Sequence, residues 1–409
     1  MRFLNWNMRA GYSGCLILVG ALAAMPAACT SDGRGGQDSS ENRPADKDED
    51  DPDDPEMKED PIDPKMLSGE GGAGGSSPVD AYPFSLLPDD FSYISAIADG
   101  DDFLVFGIRV DATLTNQPRV LYRYVPSSDE WIELGGPTEV GGWPSDTFLF
   151  RGSNGSVVAI DDESGLRTRA HVYDAEDDTW ETFLSPDGYL TDAVAQLNDG
   201  RIFCVLTGKA MVFDPALKVW QELADPSSQS VRGAAAVLSD GSVLNFRSSE
   251  LMAERYFPET NTWEAAGEFP VEWRSPTLFA LPEGRAILLG GITGDGDEAA
   301  AEKQTQIYDS TTNEWTPGPV FENAYTSPAL FFLPDGLAVA GGAKFPCDSG
   351  SCGGAEVSLL DLETNEVAAL PSFGWGSREP IFLPFGEEWF VMGSGAYAIY
   401  STTGGGRKP

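Results

Sequence analysis

Histidine is the scarcest chemical resource in this 409-residue chain: there is one, His171. A two-histidine copper site, a three-histidine zinc site and a histidine-based facial triad all need more than one chain of this kind can supply. A Ser-His-Asp triad would rest wholly on His171, which falls inside an apolar run and reads as an ordinary strand residue. No Gly-x-Ser-x-Gly elbow, phosphate loop or dinucleotide fingerprint accompanies it. Basic residues are also scarce. Lys and Arg total 26 against 65 Asp and Glu, a formal net charge of −39. A phosphate backbone demands a basic surface, so nucleic-acid binding is excluded. Long apolar runs are missing too. The longest, Cys15 to Met25, is too short to span a bilayer.

Five cysteines remain to be placed. Cys15 lies in the apolar N-terminal run. Cys204 sits within the strand-like run "RIFCVL" and reads as a small buried filler. Cys347 and Cys352 are separated by Asp-Ser-Gly-Ser in a polar loop. In an exported chain this pair is expected to form a disulfide staple. No other Cys or His lies near enough to complete a metal site, and neither a metal nor a cofactor is expected.

What the chain has in abundance is a repeat. Asp99-Gly100, Asp199-Gly200, Asp240-Gly241 and Asp335-Gly336 each precede an apolar run. Asn154-Gly155, Glu283-Gly284 and Gly386-Glu387 occupy the gaps in that series. Such turns close tight antiparallel hairpins because their residues tolerate positive φ. Six units carry a second mark downstream, an acidic turn-forming stretch ending at Trp131, Trp180, Trp220, Trp263, Trp315 and Val367. Between the marks lie third-strand segments such as "VYDA", "VFDP" and "IYDS". The period of roughly 40 to 50 residues is that of propeller blades. Four short strands form a sheet too small to stand alone, and stacking around an axis buries its faces.

The order Asp-Gly, apolar run, Gly-Gly, variable loop, Tyr-Asp, Thr-Asn-x-Trp resembles the kelch repeat. Units five and six, 276–315 and 328–367, match it best, with the pairs Gly290-Gly291 and Gly341-Gly342. Units one, two and four lack the glycine pair, and unit six has Val367 in place of Trp. The resemblance spans residues 80 to 400. It implies an all-β, seven-bladed kelch-like propeller of four-stranded antiparallel blades over 79–403, with a six-bladed ring as the alternative. Asp80 to Leu87 would supply the outer strand that the last unit lacks, so that N- and C-terminal strands close the ring. Residues 404–409 read as a flexible tail. Kelch propellers include enzymes, scaffolds and receptors, so the likeness assigns no function. The copper oxidases among them need two histidine ligands, which this chain does not have.

Residues 1–28 read as an export signal, with Arg2 and Arg9 before the apolar run. Pro26-Ala27-Ala28-Cys29 resembles a bacterial lipobox, although leucine is usual where Pro26 stands. That resemblance implies a lipid anchor on Cys29. Thr30, in place of the aspartate that retains such proteins at the inner membrane, implies the outer membrane. Ordinary cleavage nearby would give a secreted protein instead. Residues 29–78 contain hardly any large apolar side chains. From 30 to 78 there are 15 acidic residues against 5 basic ones, as expected of a disordered tether.

In a four-stranded blade, alternate connections lie on opposite faces. The Asp-Gly turns and the turns before Trp share one face and are short. The loops Ile108 to Pro118, Asp161 to Arg169, Ile292 to Gln304 and Ala343 to Ala355 share the other. Long irregular loops on a rigid scaffold are where binding usually resides. The lead-ins to the inner strands carry Trp143, Tyr189, Trp273, Tyr325 and Trp375, with Arg232, Arg274 and Arg378 close by. If these ring the channel mouth, aromatics and guanidinium groups suit a sugar or a carboxylate-bearing ligand. Alternatively, the aromatics wedge between blades and the arginines neutralise local acids.

The leading expectation is a non-catalytic binding module recognising a glycan, a peptide or an envelope protein. The second is a metal-free lyase, epimerase or hydrolase on an acidic sugar, using Glu379 or Tyr325 beside the arginines. An arginine cluster on a propeller also resembles the sialidase arrangement, but the Asp-box turns of that family are not matched. A structural protein using blade edges is the third.

Overall fold

The computed structural model describes residues 85–401 and 405–407, apart from 110–117, 139–146, 163–166, 228–232, 248–251, 269–272, 294–299, 341–356, 372–379 and several gaps of one or two residues. The signal, the tether with Cys29, and the Cys347/Cys352 pair lie outside the described residues.

Six antiparallel blades of four strands follow one another at 91–133, 147–184, 190–222, 233–268, 277–320 and 329–370. Each is a simple meander in which consecutive strands pair. The last unit supplies three strands, Ile381–Phe385, Glu388–Gly393 and Ala396–Ser401. Two short segments share its outer edge. Ser85–Leu86 pairs with Tyr397 and Ala396, as expected for closure by the N-terminal segment. Gly405–Arg407 pairs with Ile399–Ser401 and is a strand, where the sequence suggested a flexible tail. Two termini share one edge because neither pairs along all of it.

Second strands read as unbroken apolar runs because both of their faces are covered. In the first blade, Leu104 and Phe106 pack toward the second blade, while Phe103 and Val105 pack toward the closing sheet. Buried apolar residues form seven clusters among the described residues. Each cluster is shared by two sheets successive in the chain, and one joins the closing sheet to the first blade. The ring is therefore closed by side-chain burial, which contributes roughly 25 cal/mol per Å² of apolar surface.

The Trp-containing mark has a specific geometry. Asp129, Asp178, Asn261 and Asn313 adopt φ of 52°, 52°, 53° and 58°. Asp and Asn visit this left-handed region more readily than other side chains. Each accepts a hydrogen bond from the tyrosine five residues earlier: Tyr124 at 3.0 Å, Tyr173 at 2.9 Å, Tyr256 at 2.9 Å and Tyr308 at 2.7 Å. The tryptophan two residues later sits opposite that tyrosine in register, with ring centroids 4.8 to 5.2 Å apart. Three indole N–H groups then reach the blade before: Trp220 to Phe183 O at 3.1 Å, Trp263 to Ala224 O at 2.7 Å, and Trp315 to Ala266 O at 2.8 Å.

Asp129 does this twice. It accepts from Tyr124 in its own blade and from Tyr397 of the closing sheet at 2.8 Å, while Trp131 meets the Tyr397 ring edge-on at 5.3 Å. We therefore expect Asp129→Ala to lower stability by about 1 kcal/mol more than Asp178→Ala, which loses a single tyrosine bond. The strain of alanine at positive φ is common to both variants. Urea unfolding monitored by tryptophan fluorescence measures the difference, and equal losses would remove Asp129 from ring closure.

Candidate binding face

The connections divide as antiparallel geometry requires. Turns between strands one and two (100–101, 152–156, 197–201, 238–242, 281–284, 334–335) and between strands three and four (126–129, 175–178, 215–218, 258–261, 310–313, 361–366) occupy one face. The opposite ends of the strands flank the stretches 110–118, 163–167, 207–208, 248–251, 290–303 and 341–356. These vary from two residues to sixteen.

On the turn face four arginines pair with acids of the turns. Arg123 pairs with Asp99 and Asp102, both at 3.2 Å. Arg151 pairs with Asp99 across the blade boundary. Arg201 meets Asp199 at 2.7 Å and Arg255 meets Asp240 at 2.5 Å.

Of the eight residues expected at the channel mouth, two have described side chains, and both are buried. Trp273 is 1% exposed, donates its indole N–H to Gly290 O, and joins the cluster between the fourth and fifth blades. Tyr325 is 3% exposed and meets Phe321 edge-on at 5.5 Å, in the cluster between the fifth and sixth blades. Gly290 allows this approach: a Cβ there would lie 2.6 Å from Pro328 Cδ and 2.9 Å from Tyr325 O. Neither ring offers an open face to a ligand. Trp273–Arg274 forms a two-residue strand pairing with Ile292–Thr293, which pairs with Ala300–Ala301. This small ribbon extends the fifth blade on the loop face. Trp143, Tyr189, Arg232, Trp375 and Arg378 lie outside the described residues, as does Glu379.

Sequence reasoning missed a buried ionic network at the roots of these loops. Asp161 is the penultimate residue of the second strand of the second blade, and Arg169 and His171 lie on the third. Asp161 receives Arg119 of the first blade at 2.7 Å, Arg169 at 2.8 Å and His171 Nε2 at 3.2 Å. His171 Nδ1 meets the Thr182 hydroxyl at 2.9 Å. Burial pushes the Asp161 carboxyl up, but the hydrogen bond from His171 and the charges of His171, Arg119 and Arg169 outweigh it and hold the carboxyl below its ordinary range. In the fourth blade, Arg247 and Glu254 form a second buried pair at 3.3 Å, and Glu254 accepts from the Ser227 N–H. The available signal was a charge at the loop-side end of an otherwise apolar strand, as in "VVAIDD" and "VLNFR".

The described loop face also has one concavity, of about 320 Å³, at the base of the first blade's long loop. Arg109, Pro118, Glu133, Gly135, Gly136 and Pro137 line it. Arg109 Nη2 donates to Glu133 Oε2 at 2.5 Å and to the Tyr122 hydroxyl at 3.3 Å.

Asp161→Asn leaves two guanidinium groups buried with their shared partner neutralised. Breaking a buried pair in this way costs about 3–5 kcal/mol, and chemical unfolding measures it. A carboxyl held below its unfolded value contributes stability above that value and loses it as pH falls. The wild type should thus weaken below about pH 4 through this group, and the variant should lack that component.

No family model matches the chain. Kelch-like protein 36 of Mus musculus and of Rattus norvegicus are each 22% identical to it over 227 residues, covering 50% of this chain and 36% of the relative. The chain therefore spans little more than a third of the length of these curated relatives. Among solved structures, a fungal alcohol oxidase of the AA5 family in complex with copper superposes with a TM-score of 0.56 at 14% identity, covering 76% of this chain and 72% of its own. A catalytically inactive virginiamycin B lyase from Staphylococcus aureus, with quinupristin, gives 0.55 at 11% identity, covering 77% and 96%. At such identities the likeness shows the fold alone. Together with the repeat, it makes the chain similar to the kelch-type β-propellers.

Proposed function

We propose that the protein is a non-catalytic interaction module, a propeller that binds a partner protein through its loop face. It is held at the bacterial cell envelope, at the outer membrane, by a lipid on Cys29. The observation that carries this reading is the asymmetry of the two faces. One has short turns beside which four arginines pair with acids; on the other, the strand ends flank the longest connections in the sequence, and in the second and fourth blades those ends carry buried ion pairs. A rigid scaffold with variable loops on one side is the arrangement of a recognition surface.

The enzyme reading has less support. Tyr325, one of its two acid–base candidates, is packed against Phe321 and 3% exposed, and the other, Glu379, lies outside the described residues. His171 is committed to Asp161 and Thr182 in the interior. Glycan recognition on an aromatic platform is likewise weakened by the burial of Trp273.

Photo-cross-linking in intact cells tests the face. A cross-linker replacing Asp297 or Lys344, in the loops, should capture a discrete partner, and one replacing Asp177 or Thr312, in the turns, should not. Capture from the turns alone would reverse the assignment. With the partner in hand, Arg274→Ala should weaken its binding about ten-fold or more, as expected for a charge-assisted hydrogen bond, with the melting temperature unchanged. Lost stability with intact binding would make Arg274 structural. Anchoring has its own check. Cys29→Ser should move the protein from the membrane fraction to the soluble fraction and abolish labelling by a fatty-acid analogue; retention at the membrane would refute the lipid.

A further inference from the structure

We infer that the hydroxyl of Thr182, on the rim of the second blade, is a site of covalent self-acylation that takes its acyl group from an activated ester. This goes beyond the interaction reading and needs no turnover.

A relay of three side chains crosses the second blade from its rim inward. Thr182 lies on the fourth strand, Thr179–Leu184, in register with His171 on the third. Directly opposed residues of an antiparallel pair project from the same face of the sheet. The Thr182 hydroxyl is 2.9 Å from His171 Nδ1, and His171 Nε2 is 3.2 Å from Asp161 Oδ1. A hydroxyl is a weak nucleophile until a base within about 2.6–3.2 Å, itself oriented by a third group, can take its proton. Both contacts meet that condition. The order of donors follows from the charges. Asp161 is a carboxylate between Arg119 and Arg169, and a carboxylate only accepts, so Nε2 carries the ring N–H. Nδ1 of the neutral ring is then the acceptor, and the Thr182 hydroxyl donates to it. The proton therefore already points away from the oxygen that would attack.

Exposure separates the members of the relay. Asp161 and His171 are fully buried, whereas Thr182 is half-buried on the outermost strand. That strand pairs on one side alone, so alternate N–H groups along its free edge point away from the sheet. They are donors of the kind that the oxyanion of an attacked carbonyl needs. The step is an acyl transfer. Thr182 Oγ1 bonds to the carbonyl carbon, and the bond from that carbon to the leaving oxygen breaks with its electron pair. The Thr182 proton passes to His171 Nδ1 and on to the leaving oxygen. The products are an ester on Thr182 and the free alcohol. The leaving oxygen must depart more readily than Thr182 Oγ1, which confines the donor to activated esters. Hydrolysis is impeded by the same burial: His171 has no surface of its own, so bulk water cannot give it a proton directly. The acyl group remains as a modification.

The test treats the purified full chain with p-nitrophenyl acetate at about pH 8, where imidazole is ordinarily neutral. Thr182-dependent release of p-nitrophenol should stop at a stoichiometric burst, and peptide mass spectrometry should find the acetyl ester on Thr182. Thr179, exposed on the same strand and with no histidine opposite it, is the internal control and should stay unlabelled. Thr182→Val should abolish the burst, and Thr182→Ser should keep it with the label at the same position. Acetylation of lysines is common to all these proteins and subtracts out. His171→Gln, whose amide can still donate to Asp161, should slow labelling by about 100-fold while a cooperative unfolding transition persists. No ester at Thr182, equal labelling of Thr179, or a rate indifferent to His171→Gln would each overturn the site. If His171→Gln does not fold, the comparison of Thr182 with Thr179 in the wild type decides. Release that continues past the burst and disappears in Thr182→Val would overturn the stable ester.

Discussion

Ring closure is the constraint on which everything else in this structure depends. A four-stranded sheet of short strands is stable only when both faces are covered, so no blade is independent of its neighbours. The chain meets this with one device used repeatedly: a tyrosine at the end of the third strand, an Asp or Asn at positive φ, and a tryptophan at the start of the fourth. The tyrosine fixes the turn, the turn places the tryptophan, and the tryptophan reaches into the preceding blade. Where the device is degraded, the neighbours adjust. In the third blade Phe213 stands for the tyrosine and Lys218 takes the positive φ, yet Trp220 keeps its bond to Phe183. At the closing sheet Tyr397 borrows Asp129 from the first blade, and Phe103 stacks on Phe390 at 4.4 Å.

This hierarchy explains what could be read from the chain. Asp-Gly and Asn-x-Trp are local chemistry: the residue types needed for positive φ and for cross-strand aromatic pairing recur at fixed offsets, so sheet order and the division into faces were legible. The Asp129–Tyr397 contact joins residues 268 apart, and no local pattern marks it. Nor does spacing say whether an aromatic at the start of an inner strand points into the channel or between blades. For Trp273 and Tyr325 the answer came from neighbours far along the chain: Gly290, which lets Pro328 approach, and Phe321. The notion of a mouth ringed by aromatics treated each lead-in as a surface residue, whereas in these two cases it is the seam between blades.

The buried ions were hidden for a related reason. A single charge at the end of an apolar strand is an ordinary sign of a strand reaching solvent. In the second and fourth blades those ends are instead buried, and the charges pair with one another. Their signs are opposite at corresponding places. Asp161, next to the end of the second strand, faces Arg169 and His171 on the third; Arg247 ends its second strand and faces Glu254. Burying such pairs is a poor way to gain stability. Their position argues for another role, because each ties the residue before a loop to a residue shortly after it. The loops can then vary in length and sequence while their roots stay in register.

Charge closes the argument. A chain with 26 bases and 65 acids has few cations to place, and seven of the described arginines are spent on acids of the chain itself. Arg123, Arg151, Arg201 and Arg255 serve turn acids; Arg119, Arg169 and Arg247 serve buried carboxylates. What remains toward solvent is an excess of carboxylate that long-range attraction can use but that has no shape of its own. Specificity requires a place where that excess meets a fixed geometry. Short turns repeat from blade to blade and cannot distinguish one partner from another. The loop face, where ion pairs hold the strand ends of the second and fourth blades and the connections differ in length from blade to blade, breaks the repeat, and a pseudo-symmetric ring needs such a break to present a single orientation to a partner.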